Sequence, residues 1–200
     1  MYMSARKMKL WISWTVVLLL GALVLLPVAF RSAGQSSDTQ PDPVVPALSS
    51  LIDTISVRLS LADRVALSKW ETKIPVEDMQ REQAVLVLAT TQAREHQLDP
   101  LRAQRFFAAQ IEANKLIQYG LLWKWSQTEQ PPPGTRPDLI NEIRPQLDRL
   151  QKILLEQLSR FEAYRKDSRC QQWVSAAVIN RSQDELHQWA LVRATGGLCD

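Results

Sequence analysis

The chain has 200 residues, with 24 Lys+Arg against 21 Asp+Glu, two cysteines, six glycines and eleven prolines. This length predicts one domain of ordinary size, and scarce glycine with long stretches rich in Leu, Ala, Gln and Glu excludes an all-β or doubly wound fold in favour of helices. The basic excess sits in residues 1–37, where Arg6, Lys7, Lys9 and Arg31 meet no acid; the remainder is near neutral and has no Lys/Arg run, so nucleic acid is not expected as a partner.

Residues 1–34 read as an export signal: a cationic start, an apolar run from Leu10 to Phe30, and small residues at Ser32-Ala33-Gly34 where a signal peptidase cuts. The run is long enough to serve instead as an uncleaved anchor, and then only this leader touches the membrane. Pro27 and the small-residue site favour cleavage. Either way the folded part is expected in the periplasm or secreted. Residues 35–46, polar and proline-rich, read as a linker to a helical domain over 47–200. An exported domain with an even pair of cysteines usually closes it, which predicts a Cys170–Cys199 disulfide around a loop of about 30 residues, worth roughly 3 to 4 kcal/mol by chain entropy. His96 and His187 are the only histidines, and neither stands at ligand spacing from a cysteine, so no metal is expected.

In chain order, Leu48, Leu51, Ile52, Ile55, Leu59, Ala62, Val65 and Ala66 recur at helical spacing and predict a long first helix from Ala47 to about Lys73, ended by Ile74-Pro75. A second is expected from about Asp78 to Gln97 with Val85, Leu88 and Ala89 inward. Asp99-Pro100 is an N-cap followed by proline at the first helical position, opening a third helix to about Ser126. Pro131-Pro132-Pro133-Gly134 breaks the chain. Asp138 then caps a fourth helix carrying Ile143, Leu147, Leu150, Leu154, Leu158 and Phe161, with Pro145 near its start. A fifth begins near Cys170, and Ser182 with Glu185 forms a capping box for a sixth that stops at Gly196-Gly197. The fold class is therefore all-α, a single-domain bundle of about six helices.

The anomaly lies in the first helix. Arg58 and Lys69 are three turns plus about 20° apart, so they share one face, about 16 Å from each other along the axis. That face also carries Ile55, Ala62 and Val65, so two cations sit inside the apolar stripe. Cations are almost never buried unpaired, because desolvation costs more than packing the stem returns. One such cation could reach solvent or a neighbouring acid; two on one line point to an anion. On the third helix Asn114 and Gln118 likewise share a face with Phe107, Ile111, Leu121 and Trp125. Arg81 opens the second helix between Asp78 and Glu82. Cations and amides from several helices, without a nucleophile, a metal cluster or an acid/base dyad, describe a pocket for a small dianion.

These residues resemble the AroQ class of chorismate mutases, in its exported or gamma subclass. The likeness rests on ArgLeuSerLeuAlaAsp at 58–63, LysTrp at 69–70, IleProValGluAsp at 74–78, Arg81-Glu82, HisGlnLeuAspPro at 96–100, GlnIleGluAlaAsn at 110–114 and ProAspLeu at 137–139. It implies conversion of chorismate to prephenate, a unimolecular pericyclic rearrangement that uses no cofactor and no covalent intermediate. It further implies that Arg58, Arg81 and Arg144 bind the two carboxylates, and that Lys69 reaches a carboxylate and the ether oxygen. Gln118 would donate to that oxygen too. The Asp78 backbone and Glu82 would hold the ring hydroxyl, and Asn114 would support the ring carboxylate. Lys69, Gln118 and Arg81 would be the catalytic residues. Arg144, from the fourth helix, would let one chain complete its own site, and a homodimer is the implied assembly.

Some positions depart from the family pattern. Gln118 stands where exported members often carry Glu, Asn114 where Thr or Ser is frequent, and Val85 where a glutamine occurs. Pro145 biases Arg144 away from the α-helical region. Two other readings explain parts of the chain: a non-catalytic periplasmic helical module that binds a small dianion or a protein partner, and a membrane-tethered adaptor. Neither gives a reason for two cations inside a stripe together with the other site residues. No assignable constellation follows about Gln151, so the late helices are expected to serve packing and dimerisation.

Overall fold

The computed structural model describes residues 44–134, 137–179, 181 and 184–199. The leader, the linker up to residue 43 and the expected Ser182 cap lie outside the described residues. Among the described residues are six α-helices and no strand: α1 (Val44–Thr72), α2 (Met79–Ala93), α3 (Pro100–Thr128), α4 (Arg144–Phe161), α5 (Cys170–Val178) and α6 (Glu185–Thr195). The fold class is the all-α bundle that the periodicity predicts.

Several boundaries differ from expectation for local reasons. Helix α1 starts at Val44 rather than Ala47, because Pro46 falls in its first turn, where a missing amide is tolerated. It stops at Lys73, whose φ of 58° places it in the left-handed region before Ile74-Pro75. The second helical stretch is not continuous to Gln97: α2 ends at Ala93, a 3₁₀ turn spans Arg94–His96, and Gln97 at φ 57° closes it. Leu88 does not point inward and is 39% exposed. Leu86 packs on the core in its place, beside buried Val85, Ala89 and Ala93. Four consecutive apolar residues, Val85 to Leu88, leave the facing of this short helix undetermined by periodicity.

Arg144 is α-helical, with φ −56° and ψ −45°, against the bias that Pro145 imposes. The reason is a π-helical turn over Leu139–Ile143 that leads directly into α4. The Ile143 amide donates to Asp138 O at 3.0 Å, and that of Arg144 donates to Leu139 O. These bonds reach back five residues, and the widened turn gives the proline ring the room that a regular α-turn denies it. Asp138 caps this turn through Ile140 N and Asn141 N at 2.9 and 2.8 Å. The N-cap of α6 is Asp184: its carboxylate accepts from His187 N at 2.9 Å, as the residue immediately before a helix is best placed to do.

Helix α1 lies centrally, against α3, α4, α5 and α6, while α3 also packs on α2 and α6. Leu51, Ile52, Ile55, Phe107, Ile117, Leu154, Leu158 and Phe161 fill the shared core. In mid-α3, Gly120 lets Leu186 of α6 approach closely; a Cβ there would lie 2.7 Å from the leucine Cδ atoms. A second small cluster, Leu61, Val65 and Ile143, joins α1 to the π-turn. The C-terminal segment is held twice. Cys170 and Cys199 are disulfide-bonded with their Cα atoms 5.8 Å apart. Buried Arg102 donates to Gly197 O, to Leu198 O at 2.7 Å and to Glu162 at 3.0 Å.

Candidate active site

The first four helices and the loops between them surround one pocket, and every expected site residue lines it: Arg58, Lys69, Asp78, Arg81, Glu82, Asn114, Gln118 and Arg144. Two adjoining ends can be distinguished. At one, Arg58 is 5% exposed, and its Nε and Nη1 atoms have no hydrogen-bond partner. Burial, with the charge of Arg81 beside it, pushes its pKa down to about 10 against the opposing pull of Asp148. Arg58 is therefore a cation at neutral pH with donors to spare. Its neighbour Arg81 is paired with Asp148 from α4.

At the other end Lys69, 6% exposed, donates to Val76 O at 2.6 Å. Its pKa is lowered, chiefly by burial, with Asp78 raising it and Arg144 lowering it further. An ammonium group has three hydrogens, so one bond to a carbonyl leaves two for the pocket. Arg144 is paired with Asp78 at 2.7 Å. Asp78 is also the N-cap of α2, accepting from Arg81 N at 3.0 Å, while its own amide faces Glu82 Oε1 at 3.4 Å. The cap thereby fixes where α2 begins, and with it the direction in which Arg81 and Glu82 project. Between the two ends, Gln118 Nε2 donates to Asn114 Oδ1 at 2.7 Å, leaving Asn114 Nδ2 and Gln118 Oε1 buried without partners. Val85, Ile111, Leu139 and Leu147 form the apolar walls.

Three polar lining residues escape the sequence argument: Lys115, Asp148 and Gln151. The last two stand four and seven residues after Arg144, on the same face of α4, and that spacing was the signal that could have found them. Lys115 carries no such signal. It bonds Glu112, Glu77 and Glu82 at 2.8, 3.2 and 3.3 Å, and these acids raise its pKa. Glu77 also accepts from Tyr119 at 2.8 Å, and the tyrosine first, then Lys115, lowers its pKa.

Chemically, the arrangement is a set of fixed donors around an apolar slot, with spare hydrogen-bonding capacity at a buried guanidinium, an ammonium and two amides. It suits a compact ligand bearing more than one negative charge.

Comparison with known proteins agrees. Residues 49–119 match the family described as chorismate mutase type II. A secreted chorismate mutase of Mycobacterium tuberculosis is 31% identical over 156 residues, covering 76% of this chain and 78% of the relative. Among solved structures, a chorismate mutase from Burkholderia phymatum superposes with a TM-score of 0.76 at 38% identity, over 80% of this chain and 99% of that one. Another from Burkholderia thailandensis gives 0.73 at 35% identity, over 76% and 99%. The shared fold, the identity along most of the chain and the cationic pocket together place this protein in the chorismate mutase type II family.

Proposed function

We propose that this chorismate mutase binds chorismate as a dianion in the pocket between α1 and α4 and rearranges it to prephenate there, by clamping its reactive conformer and stabilising the ether oxygen as the C–O bond breaks. The observation that carries the assignment is Arg58, a buried guanidinium with two unpartnered nitrogens. A protein that ligates no anion at that point would have to offset its desolvation with the pull of Asp148, an acid already paired with Arg81.

Arg58 and Arg81 then hold one carboxylate, and Arg144 with Lys69 the other. Asp148 and Asp78 pair with Arg81 and Arg144, so binding exchanges or shares these acids with the substrate carboxylates. The Asp78 amide and Glu82 carboxylate face one another and receive the ring hydroxyl between them, and Asn114 supports the ring carboxylate. Lys69 and the second N–H of Gln118 point to the ether oxygen. Holding the chair-like conformer overcomes its conformational cost, and fixed donors in a water-poor slot stabilise charge growing on that oxygen. No proton changes hands, so no acid/base pair is required.

The assignment is tested by following chorismate consumption in the ultraviolet. Lys69→Ala is expected to lose at least about 3 kcal/mol of transition-state stabilisation, more than a hundredfold in kcat/KM, the scale of a key oxyanion donor. Near-normal turnover would show that the ammonium is not at the ether oxygen.

The relatives' names, the disulfide and the leader sequence support export, with residues 1–34 removed as a signal peptide and the stretch from 35 to the start of α1 at Val44 as a linker. A homodimer is the assembly that the resemblance implies, although a single chain supplies every residue named here.

A further inference from the structure

We propose that Gln151, a residue with no assigned role, is a substrate-binding residue: its side-chain amide donates a hydrogen bond to the carboxylate that Arg58 holds. The inference rests on the reading of Arg58 as a carboxylate ligand and extends it by one partner. Gln151 lies in mid-α4 and is 2% exposed, its Nε2 is buried with no hydrogen-bond partner, and it lines the same pocket as Arg58.

Its position follows from the way α1 and α4 pack. Arg64 of α1 bonds Glu142 at 2.7 Å, and Val65 clusters with Ile143 and Leu147. These contacts bring α1 past the start of α4. Asp148, which acts on Arg58, lies one turn further along α4. Arg58 is two turns back from Val65, and Gln151 is two turns on from Arg144, so antiparallel travel brings the two to one end of the pocket.

A buried amide donor left unbonded is costly, and the great majority of such groups have a partner. Asp148, the acid on this face, is taken by Arg81. Arg58 cannot accept, because a guanidinium offers only donors. Two sets of unpaired donors, one charged and one neutral, therefore converge at one end of a pocket. A carboxylate has two oxygens with about four acceptor positions, enough to take the guanidinium on one side and the amide on the other. The neutral amide adds a donor without adding charge, in a place where a third cation beside Arg58 and Arg81 would repel both.

The experiment measures steady-state turnover of chorismate and melting of the ligand-free chain for Gln151→Met, Gln151→Glu and Arg58→Gln. Gln151→Met keeps the length and removes the donor. It is expected to raise KM about tenfold, the usual size of one hydrogen bond to a charged group, with kcat within about twofold, because the carboxylate is held alike in ground and transition states. The melting temperature of the empty protein should hold or rise, since an unbonded amide is replaced by a thioether. Gln151→Glu places a carboxylate beside Arg58; its KM should be raised at neutral pH and recover towards acid as that group protonates, beyond any change in the wild type.

An unchanged KM in Gln151→Met while Arg58→Gln binds poorly would overturn the role of Gln151 and leave that of Arg58 standing. An unchanged KM in Arg58→Gln as well would overturn both. A lower melting temperature or failure to fold in Gln151→Met, with no acid recovery in Gln151→Glu, would assign the amide to packing and overturn the proposal.

Discussion

Arg58 and Gln118 illustrate two ways in which a single residue sets the chemistry of this pocket. Arg58 keeps its charge without a contacting acid, and its depressed pKa of about 10 still leaves it protonated throughout the physiological range. Gln118 supplies a donor that does not titrate. A glutamate in its place would have to be protonated to donate, and Lys69, Arg58, Arg81 and Arg144 around the pocket would all favour its ionised form. The wild-type rate should therefore vary less than about twofold between mildly acid and neutral pH, whereas Gln118→Glu should lose about tenfold per unit as pH rises above the pKa of the new carboxyl. A pH–rate profile of kcat/KM decides it: no gain towards acid in the variant would place Gln118 away from the ether oxygen. At this scale the sequence is most informative where a residue violates its surroundings. Arg58, Lys69, Asn114 and Gln118 interrupt apolar stripes and could be picked out. Gln151 breaks no such stripe, being a glutamine among the polar residues of α4; only its spacing from Arg144 marks it, and the packing of α1 against α4 is what buries it.

Helix α6 meets α1 through one titratable contact. His187 Nε2 lies 2.9 Å from Asp63 Oδ1 of α1, and its Nδ1 lies 2.8 Å from Asp184, the cap of its own helix. The hydrogen bond to Asp63 leads the effects that raise the histidine pKa to about 9, burial opposing it, from an unfolded value near 6.5. A raised folded pKa stabilises the fold fully below the unfolded value and loses that contribution as pH climbs through the folded one. Both aspartates are about half exposed, so screening limits the contact to about 1 kcal/mol. The melting temperature should fall by about 3 °C between pH 6.5 and 9, and His187→Gln should abolish that part of the slope. An identical slope in the variant would remove the contact from the stability balance. At the level of elements, breaks and caps written in proline and aspartate were readable: Asp99-Pro100 and Asp138 act where expected. Three features were not, since each is decided by competition between nearby groups: the π-turn before Pro145, the choice of Asp184 as cap, and the turning of α2 onto Leu86.

The molecule divides its labour between site and support. The pocket belongs to α1 through α4 with their connecting loops, while α5, α6 and the C-terminal segment buttress α1 and α3 from outside it. Breaking the disulfide with Cys199→Ser should cost roughly 3 kcal/mol of stability, about 6 to 12 °C in melting temperature. The KM for chorismate at 25 °C should stay unchanged, because Arg102 still grips Gly197 and Leu198. A raised KM in the folded variant would mean that the tail reaches the pocket. Helical class and the cations lining the pocket follow from composition and spacing alone, whereas the way in which late helices support early ones appears only once they are packed. Arg144 lines the same pocket as Arg58, Lys69 and Arg81 of its own chain, and on the proposed reading each polypeptide should turn over independently of any other. In mixtures of wild-type and Lys69→Ala chains the rate should scale linearly with the wild-type fraction, and Lys69→Ala mixed with Arg144→Ala should show no complementation. Recovered turnover in that second mixture would reveal a site assembled from two chains.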